Sequence, residues 1–453
     1  MAGQGNGKTR KRLFVNIVQI TPGAGGMYCG NCFRDNALVA ELRRQGHAPL
    51  MVPLYLPMTL DEENQSAGTP IFFNGINVYL EQVFPLFRRA PQWLHRLVAS
   101  PVWLKLVAGR AAKTRAAEVG DLTLSMLQGE EGNQARELEE LIAWLRTQPK
   151  PDVVCLSNAM LVGLARRLKR ELGTGVVCTL QGEDAFLDAM PEPVRGEVWR
   201  TLAERGRDVD LFVAPSRYFG EVMAKRLGLG EDQLRVVPNG ISLEGYHVAA
   251  VAPEPPALGF FARMCPEKGL DTVVEAYLEV RKRGRVPGLK LRIGGSCGPG
   301  DEAFVGGLKR RLAAAGMGGD VEFHPNVSRA EKLAFLRSLT VFSVPALYGE
   351  AFGLYVIEAL AAGVPVVQPR VASFPELIAA TGGGVLCEPR SSGALAEAVE
   401  ALVLDPARAR ALGEAGRRAV EKGFSVRAMA EGMAGVYAEA ARGAKEAGAV
   451  RRV

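Results

Sequence analysis

Pro345-Ala-Leu-Tyr-Gly-Glu350-Ala-Phe-Gly-Leu-Tyr-Val-Ile-Glu358-Ala-Leu-Ala-Ala-Gly-Val-Pro365 holds two glutamates with seven residues between them. An apolar run, Val341 to Val344, ends just before it and reads as a strand. Phe352-Gly353 suits a tight turn, and Leu354 onward has the apolar spacing of a helix, which puts Glu358 about one turn inside. The pair therefore brackets a helix N-terminus. Free backbone N–H groups there attract an anion, and a carboxylate on either side accepts hydrogen bonds from hydroxyls. A phosphate flanked by sugars fits such a place; an ordinary cap with a solvated face fits it as well.

Outward from this stretch, strand-like runs alternate with helical patterns in both halves of the 453 residues. That alternation implies α/β architecture with parallel sheets, and the length implies two domains. The first half offers strands at Leu13–Ile20, Val153–Leu156, Val176–Leu180 and Leu211–Ala214, a glycine loop Thr21–Gly26, and a helix from about Cys32 to Gln45. Ala249–Ala257 carries three prolines within four residues and reads as an extended linker. Beyond it lie strands at Leu258–Ala262, Leu289–Gly294, Val321–Phe323, Val341–Val344, Val364–Val367 and Val385–Leu386, then a last helix from Ser425 to Ala441. The expected division is a basic disordered tail (1–12), a first Rossmann-like domain (13–248) with a helical insertion (about 82–145), the linker (249–257), a second Rossmann-like domain (258–423) and a terminal helix (424–453).

A second motif opens the second half: Gly259-Phe-Phe-Ala-Arg263-Met-Cys-Pro-Glu-Lys268-Gly269-Leu-Asp271. Two fixed cations at a βα turn can hold an anion, although Arg and Lys in a loop are also commonly just solvated. Together these motifs resemble those of the retaining GT-B glycosyltransferases of family 4, also called group 1: the Glu-x7-Glu signature with Phe352-Gly353-Leu354 after its first Glu, and the Arg-x4-Lys-Gly element. The resemblance implies two Rossmann-like, doubly wound parallel-sheet domains facing a central cleft. It also implies a C-terminal helix crossing back to the first domain.

In function, the resemblance implies transfer of a sugar from a nucleotide diphosphate sugar, with UDP-sugars favoured, to a glycan, lipid-linked or small-molecule acceptor with retention. No cofactor or metal is required in that scheme. Arg263 and Lys268 would hold the diphosphate, Glu350 the transferred sugar and Glu358 the ribose hydroxyls. Phe352, Gly353, Leu354, Gly294, Val327 and the glycines Gly25 and Gly26 of the first βα loop would approach the donor. The family commonly carries a histidine after the strand ending at Leu180; Gln181 stands here and would orient the donor sugar through a neutral amide. Glu183 and Asp184 are acceptor-side candidates, or else a helix-capping acidic turn. The competing readings are a nucleotide-sugar epimerase and a non-catalytic nucleotide-sugar sensor or partner subunit.

Composition excludes other classes. Lys and Arg exceed Asp and Glu by 55 to 49, a net charge of +6 that calls for neither nucleic acid nor membrane by itself. No apolar run reaches a membrane span, and the N-terminus lacks an apolar signal core, which leads to the expectation of a cytoplasmic protein. Residues 82–117 lack acids but carry Arg88, Arg89, Arg96, Lys105, Arg110, Lys113 and Arg115 with Trp93 and Trp103. They suit peripheral contact with the inner membrane face, or an insertion with a basic solvated side. Seven cysteines suggest a reducing compartment; Cys29-Gly-Asn-Cys32 is either a thiol pair or two small residues lining the glycine loop. Asp208-Val-Asp210 lacks the further ligands a metal would need.

Overall fold

The computed structural model describes residues 14–23, 30–58, 62–73 and 120–450. Gly25, Gly26, Cys29 and the basic segment 82–117 lie outside the described residues.

Twelve strands are described: β1 (Asn16–Thr21), β2 (Ala48–Pro53), β3 (Val153–Leu156), β4 (Gly175–Thr179), β5 (Leu211–Ala214), β6 (Leu234–Val236), β7 (Ala257–Phe261), β8 (Lys290–Gly295), β9 (Val321–Pro325), β10 (Val341–Phe342), β11 (Val366–Pro369) and β12 (Gly384–Cys387). They form two six-stranded sheets in the orders β2-β1-β3-β4-β5-β6 and β12-β11-β10-β7-β8-β9. Every pairing is parallel. Central strands such as β3, β4 and β5 are buried along their whole length, because helices cover both faces of a parallel sheet and leave no side for polar residues. Two strands differ from the sequence expectation: β2, a run of Ala-Pro-Leu-Met-Val-Pro, and the three-residue β6 on the opposite edge.

The strand orders position the site. In the first sheet the chain runs from β1 to β2, then returns past β1 to β3; in the second it runs β7-β8-β9, then returns past β7 to β10. Loops leaving neighbouring strands at such a reversal splay to opposite faces and open a crevice at the carboxyl ends. The loop after β7 carries Arg263 and Lys268, and the loop after β10 carries Glu350. Residues 82 positions apart thus become neighbours.

The last helix, Val426–Val450, belongs to the first sheet's packing. Met429, Met433, Val436, Tyr437 and Ala440 share one core cluster with Val15, Ile17, Leu38, Val153, Val177 and Val213. The chain passes back beside Ile241, whose N–H donates to Phe424 O at 3.0 Å while Val426 N–H donates to Ile241 O at 2.8 Å. Tyr437 is fully buried, and its hydroxyl meets Gln19 Oε1 at 3.3 Å. Further contacts bind the two halves at the cleft: Ser216 Oγ donates to Ala351 O at 2.6 Å, and the Glu376 carboxylate accepts from Arg217 N (3.0 Å) and Tyr218 N (3.3 Å) at the start of the helix Arg217–Leu227.

Truncating Tyr437 to Ala removes a ring from a closed core and is expected to cost about 3–5 kcal/mol. Denaturant unfolding should show that loss, whereas Arg442→Ala on the exposed side of the same helix should stay within about 0.5 kcal/mol of wild type.

Candidate active site

A cavity of about 280 Å³ lies between the two sheets, lined by Gln181, Asn239, Arg263, Lys268, Gly295, Glu350, Phe352, Gly353, Leu354, Tyr355 and Glu358 among others. Residues from both halves meet here. Gly353 adopts φ +88°, a conformation costly to a side chain, and stands at the N-cap of the helix Leu354–Ala361 with no side-chain cap. Val356 N–H of the first turn donates to Gly353 O at 2.9 Å, and the N–H groups of Leu354 and Tyr355 before it suit an anion.

Lys268 and Glu350 form the central pair. Lys268 Nζ lies 2.6 Å from Glu350 Oε2, and that same oxygen accepts from Tyr355 Oη at 2.8 Å and Tyr348 Oη at 3.3 Å. Lys268 also bonds the Tyr348 hydroxyl and sits over the rings of Tyr348 and Tyr355 at 4.9 and 5.3 Å. Burial disfavours the lysine charge, but Glu350 and then Tyr348 more than offset it, so Lys268 holds its proton above the usual lysine range. Burial, then the adjoining Glu350 charge, pushes the Tyr348 hydroxyl up to about 12, which keeps it a neutral donor.

The other acids and bases are also partnered. Arg263 is bidentate to Asp301, with Nε–Oδ2 at 3.1 Å and Nη2–Oδ1 at 3.0 Å, yet its side chain remains 62% exposed at the cavity rim. Glu358 accepts from Lys332 at 2.7 Å. Gln181 enters from the first domain, its Oε1 accepting from Asn239 Nδ2 at 3.4 Å.

Several expected residues sit elsewhere. Glu183 is turned inward: 5% exposed, it accepts from Ala159 N at 2.9 Å and Gln181 N at 2.8 Å, fixing two turns of the first domain. Burial, opposed by those N–H donors, raises its pKa. Those backbone donors offset the cost of burying the carboxylate. Asp184 is half-buried and is not among the cavity-lining residues. Gly294 and Val327 do not line the cavity either; the neighbour Gly295 does, at φ +124°, where a Cβ would fall 1.8 Å from Ala262 O. Gly294 instead packs beneath Phe261.

Asp208 is held by Arg166 at 3.0 Å, and Asp210 accepts from Val176 N at 2.8 Å and pairs with Lys169. Among the described residues no cluster of His, Cys, Asp and Glu is arranged for a metal. Cys155, Cys178, Cys265, Cys297 and Cys387 are free, and Cys32 is disulfide-bonded. Among the described residues no helix is long and apolar enough to cross a membrane. Tyr348, Tyr355, Asp301, Lys332 and Asn239 were not anticipated from sequence; the two tyrosines flank Glu350 in the motif and were the one local signal.

Two family models match the chain: Glycosyltransferase Family 4 over residues 107–244 and Glycosyl transferases group 1 over residues 248–419. Similar proteins include glycogen synthase of Mycobacterium tuberculosis, 29% identical over 53% of this chain and 56% of the relative. Another is the GDP-mannose-dependent alpha-(1-6)-phosphatidylinositol monomannoside mannosyltransferase of Mycolicibacterium smegmatis, 29% identical over 57% of this chain and 68% of the relative. The match thus spans little more than half of the glycogen synthase. Among solved structures, sucrose-phosphate synthase from Thermosynechococcus elongatus shares the fold, with a TM-score of 0.68, 18% identity, and 94% of this chain and 98% of that one covered.

Lys268→Met should lower stability at neutral pH by about 2 kcal/mol, since it leaves Glu350 partly buried without its cation. A lysine pKa raised by folding contributes stability that is complete below the unfolded value of 10.5 and lost as pH rises through the folded value. Between neutral pH and 10.5 the difference between wild-type and variant stability should therefore be constant, and it should shrink above 10.5.

Proposed function

The chain belongs to the group 1, family 4 glycosyltransferases, whose two family models match its two halves, and on that footing we propose that it transfers a hexosyl unit from a nucleoside diphosphate sugar to an acceptor hydroxyl with retention of configuration and without a metal. The observation that carries this reading is the convergence of Lys268, Arg263, Glu350, Glu358 and Gln181 on one cavity at the capless start of the helix Leu354–Ala361.

The diphosphate would lie against Arg263, Lys268 and the N–H groups of Leu354 and Tyr355. Negative charge grows on the diphosphate as the sugar–phosphate bond breaks, and fixed cations and dipoles stabilise it there without reorganising. As the phosphate draws Lys268 toward itself, Glu350 is released to accept hydrogen bonds from the transferred sugar. Glu358, steadied by Lys332, would accept from the ribose hydroxyls. The acceptor would enter from the first domain and attack the face from which the diphosphate leaves, its proton passing to a diphosphate oxygen; positioning then supplies the rate. Among the described residues no histidine lines the cavity, which suits this scheme and leaves an epimerase without an evident acid–base pair.

Donors are proposed as UDP-sugars first, with a glycan, lipid-linked or small-molecule acceptor and action in the cytoplasm, at the inner membrane face if residues 82–117 contact lipid. Gln181, where the family commonly has histidine, favours one second reading, a nucleotide-sugar-binding partner without turnover.

A thermal-shift panel of UDP-, GDP-, ADP- and TDP-sugars should single out one base. A ligand at a hundred times its dissociation constant adds about 2.7 kcal/mol. With the donor so found, wild type should release nucleoside diphosphate, and Glu350→Gln should lose about a hundredfold in kcat, the scale of one lost transition-state contact. Donor binding with no transfer or hydrolysis over a broad acceptor panel would support the non-catalytic reading, and full activity in Glu350→Gln would remove Glu350 from the sugar.

A further inference from the structure

Behind Gln181 lies a buried polar chain that the proposed chemistry does not use. Arg34 is 4% exposed, Asp35 0% and Asn239 5%. The three come from two segments: Arg34 and Asp35 from the first turns of the helix Gly30–Arg44, and Asn239 from the Pro238-Asn239-Gly240 turn after β6. Arg34 Nη1 donates to Asp35 Oδ1 at 2.7 Å and to Thr179 Oγ1 at 3.4 Å, while its Nε donates to Asn239 Oδ1 at 3.1 Å. Asn239 Nδ2 in turn donates to Gln181 Oε1. The Gln181 backbone is pinned separately, its N–H donating to Glu183.

We infer that Arg34 and Asn239 are positioning residues that set the polarity of the Gln181 carboxamide, presenting its Nε2 donor to the cleft. Amide oxygen and nitrogen are nearly alike in shape, so a lone Gln181 could present either. A guanidinium has donors only. The Asn239 atom facing Arg34 Nε must therefore be oxygen, which turns Nδ2 toward Gln181. The Gln181 atom that meets Nδ2 must then also be oxygen, leaving Nε2 for the cavity that Gln181 lines. Each link is one-way, so a charge that cannot deprotonate fixes the direction of a neutral group two hydrogen bonds away. Asp35 and Thr179 hold the guanidinium in place, and burial keeps water from offering alternatives.

The consequence is a donor at the mouth of the site that does not titrate. It suits a sugar hydroxyl or ring oxygen acting as acceptor. This assignment of the ligand atom rests on the nucleotide-sugar reading; the polarity relay itself does not.

The test replaces Gln181 with a group that reports what faces it. In Gln181→His the Asn239 amide should donate to a ring nitrogen and favour the neutral imidazole, giving a pKa below the ordinary histidine value of about 6.5. Adding Asn239→Asp substitutes a carboxylate that favours the imidazolium, and the midpoint should rise by about one unit, a tenfold change in protonation. Asn239→Ala, which only removes the donor, should give a smaller rise and serves if the aspartate variant does not fold. The other charged groups around position 181 are Glu183 on its own turn, Arg34 and Asp35 behind it, and Arg263, Lys268, Glu350 and Glu358 across the cleft. All are the same in the variants compared.

NMR titration of the introduced imidazole, separated from His47, His95, His247 and His324 by comparison with wild type, reads the midpoints. Midpoints that agree within about 0.3 units in all three backgrounds overturn the relay. In the otherwise wild-type chain, Asn239→Asp should lower UDP-glucose hydrolysis about tenfold in kcat and change KM less, since the proposed diphosphate position is against Arg263 and Lys268 of the other half. A midpoint that moves as expected with turnover unaffected supports the relay and contradicts the sugar contact of Gln181.

Discussion

The Lys268–Glu350 contact depends on β7 and β10 being neighbours in the second sheet. Reversal of strand order at that point brings the ends of both loops to one crevice, so an ammonium and a carboxylate come within 2.6 Å. Much of the site is arranged around keeping that pair in place. Two tyrosine hydroxyls donate to the same carboxylate oxygen that Lys268 meets, Phe352 and Tyr355 anchor the following turn in the core, and Ser216 of the first domain grips the carbonyl of Ala351. A buried pair costs desolvation that only added hydrogen bonds offset, and these supply them.

Charges in the cleft are paired with one another. Lys268 is matched by Glu350, Lys332 by Glu358, and Arg263 by Asp301. Such pairing lets cations wait in a partly buried site without strong cost, and each can exchange a carboxylate for a phosphate or hydroxyl of similar geometry. Opposite them, among the described residues, the first half lines the cavity with the uncharged amides of Asn31, Gln181 and Asn239, and the Arg34 guanidinium donates to Asn239 behind Gln181.

Sequence legibility followed physical cause. β3 and β5 were readable to the residue because a strand covered on both faces must be continuously apolar. β2 was not: prolines at both Pro49 and Pro53 argue against a strand, and only its place at the sheet edge makes them tolerable. β6, three half-exposed residues, carried no pattern. In the site, Glu350, Glu358, Arg263 and Lys268 stood out in the sequence because two local motifs carry them, and the structure brings all four to one cavity. Their partners did not, since Asp301 and Lys332 meet them only through tertiary packing. Glu183 shows the limit most clearly: an acidic residue opening a helix after a strand reads equally as a cleft group or as a capping turn, and its inward bonds to Ala159 N and Gln181 N join segments that no local pattern relates.

The most direct measurement is a crystal structure with UDP or GDP bound. The account predicts the diphosphate between Arg263 and Lys268 at the first turn of the helix Leu354–Ala361, with the ribose hydroxyls on Glu358 and Lys268 drawn away from Glu350. A nucleotide lying elsewhere, or a diphosphate bound while Lys268 and Glu350 remain closed on each other and apart from it, would contradict it.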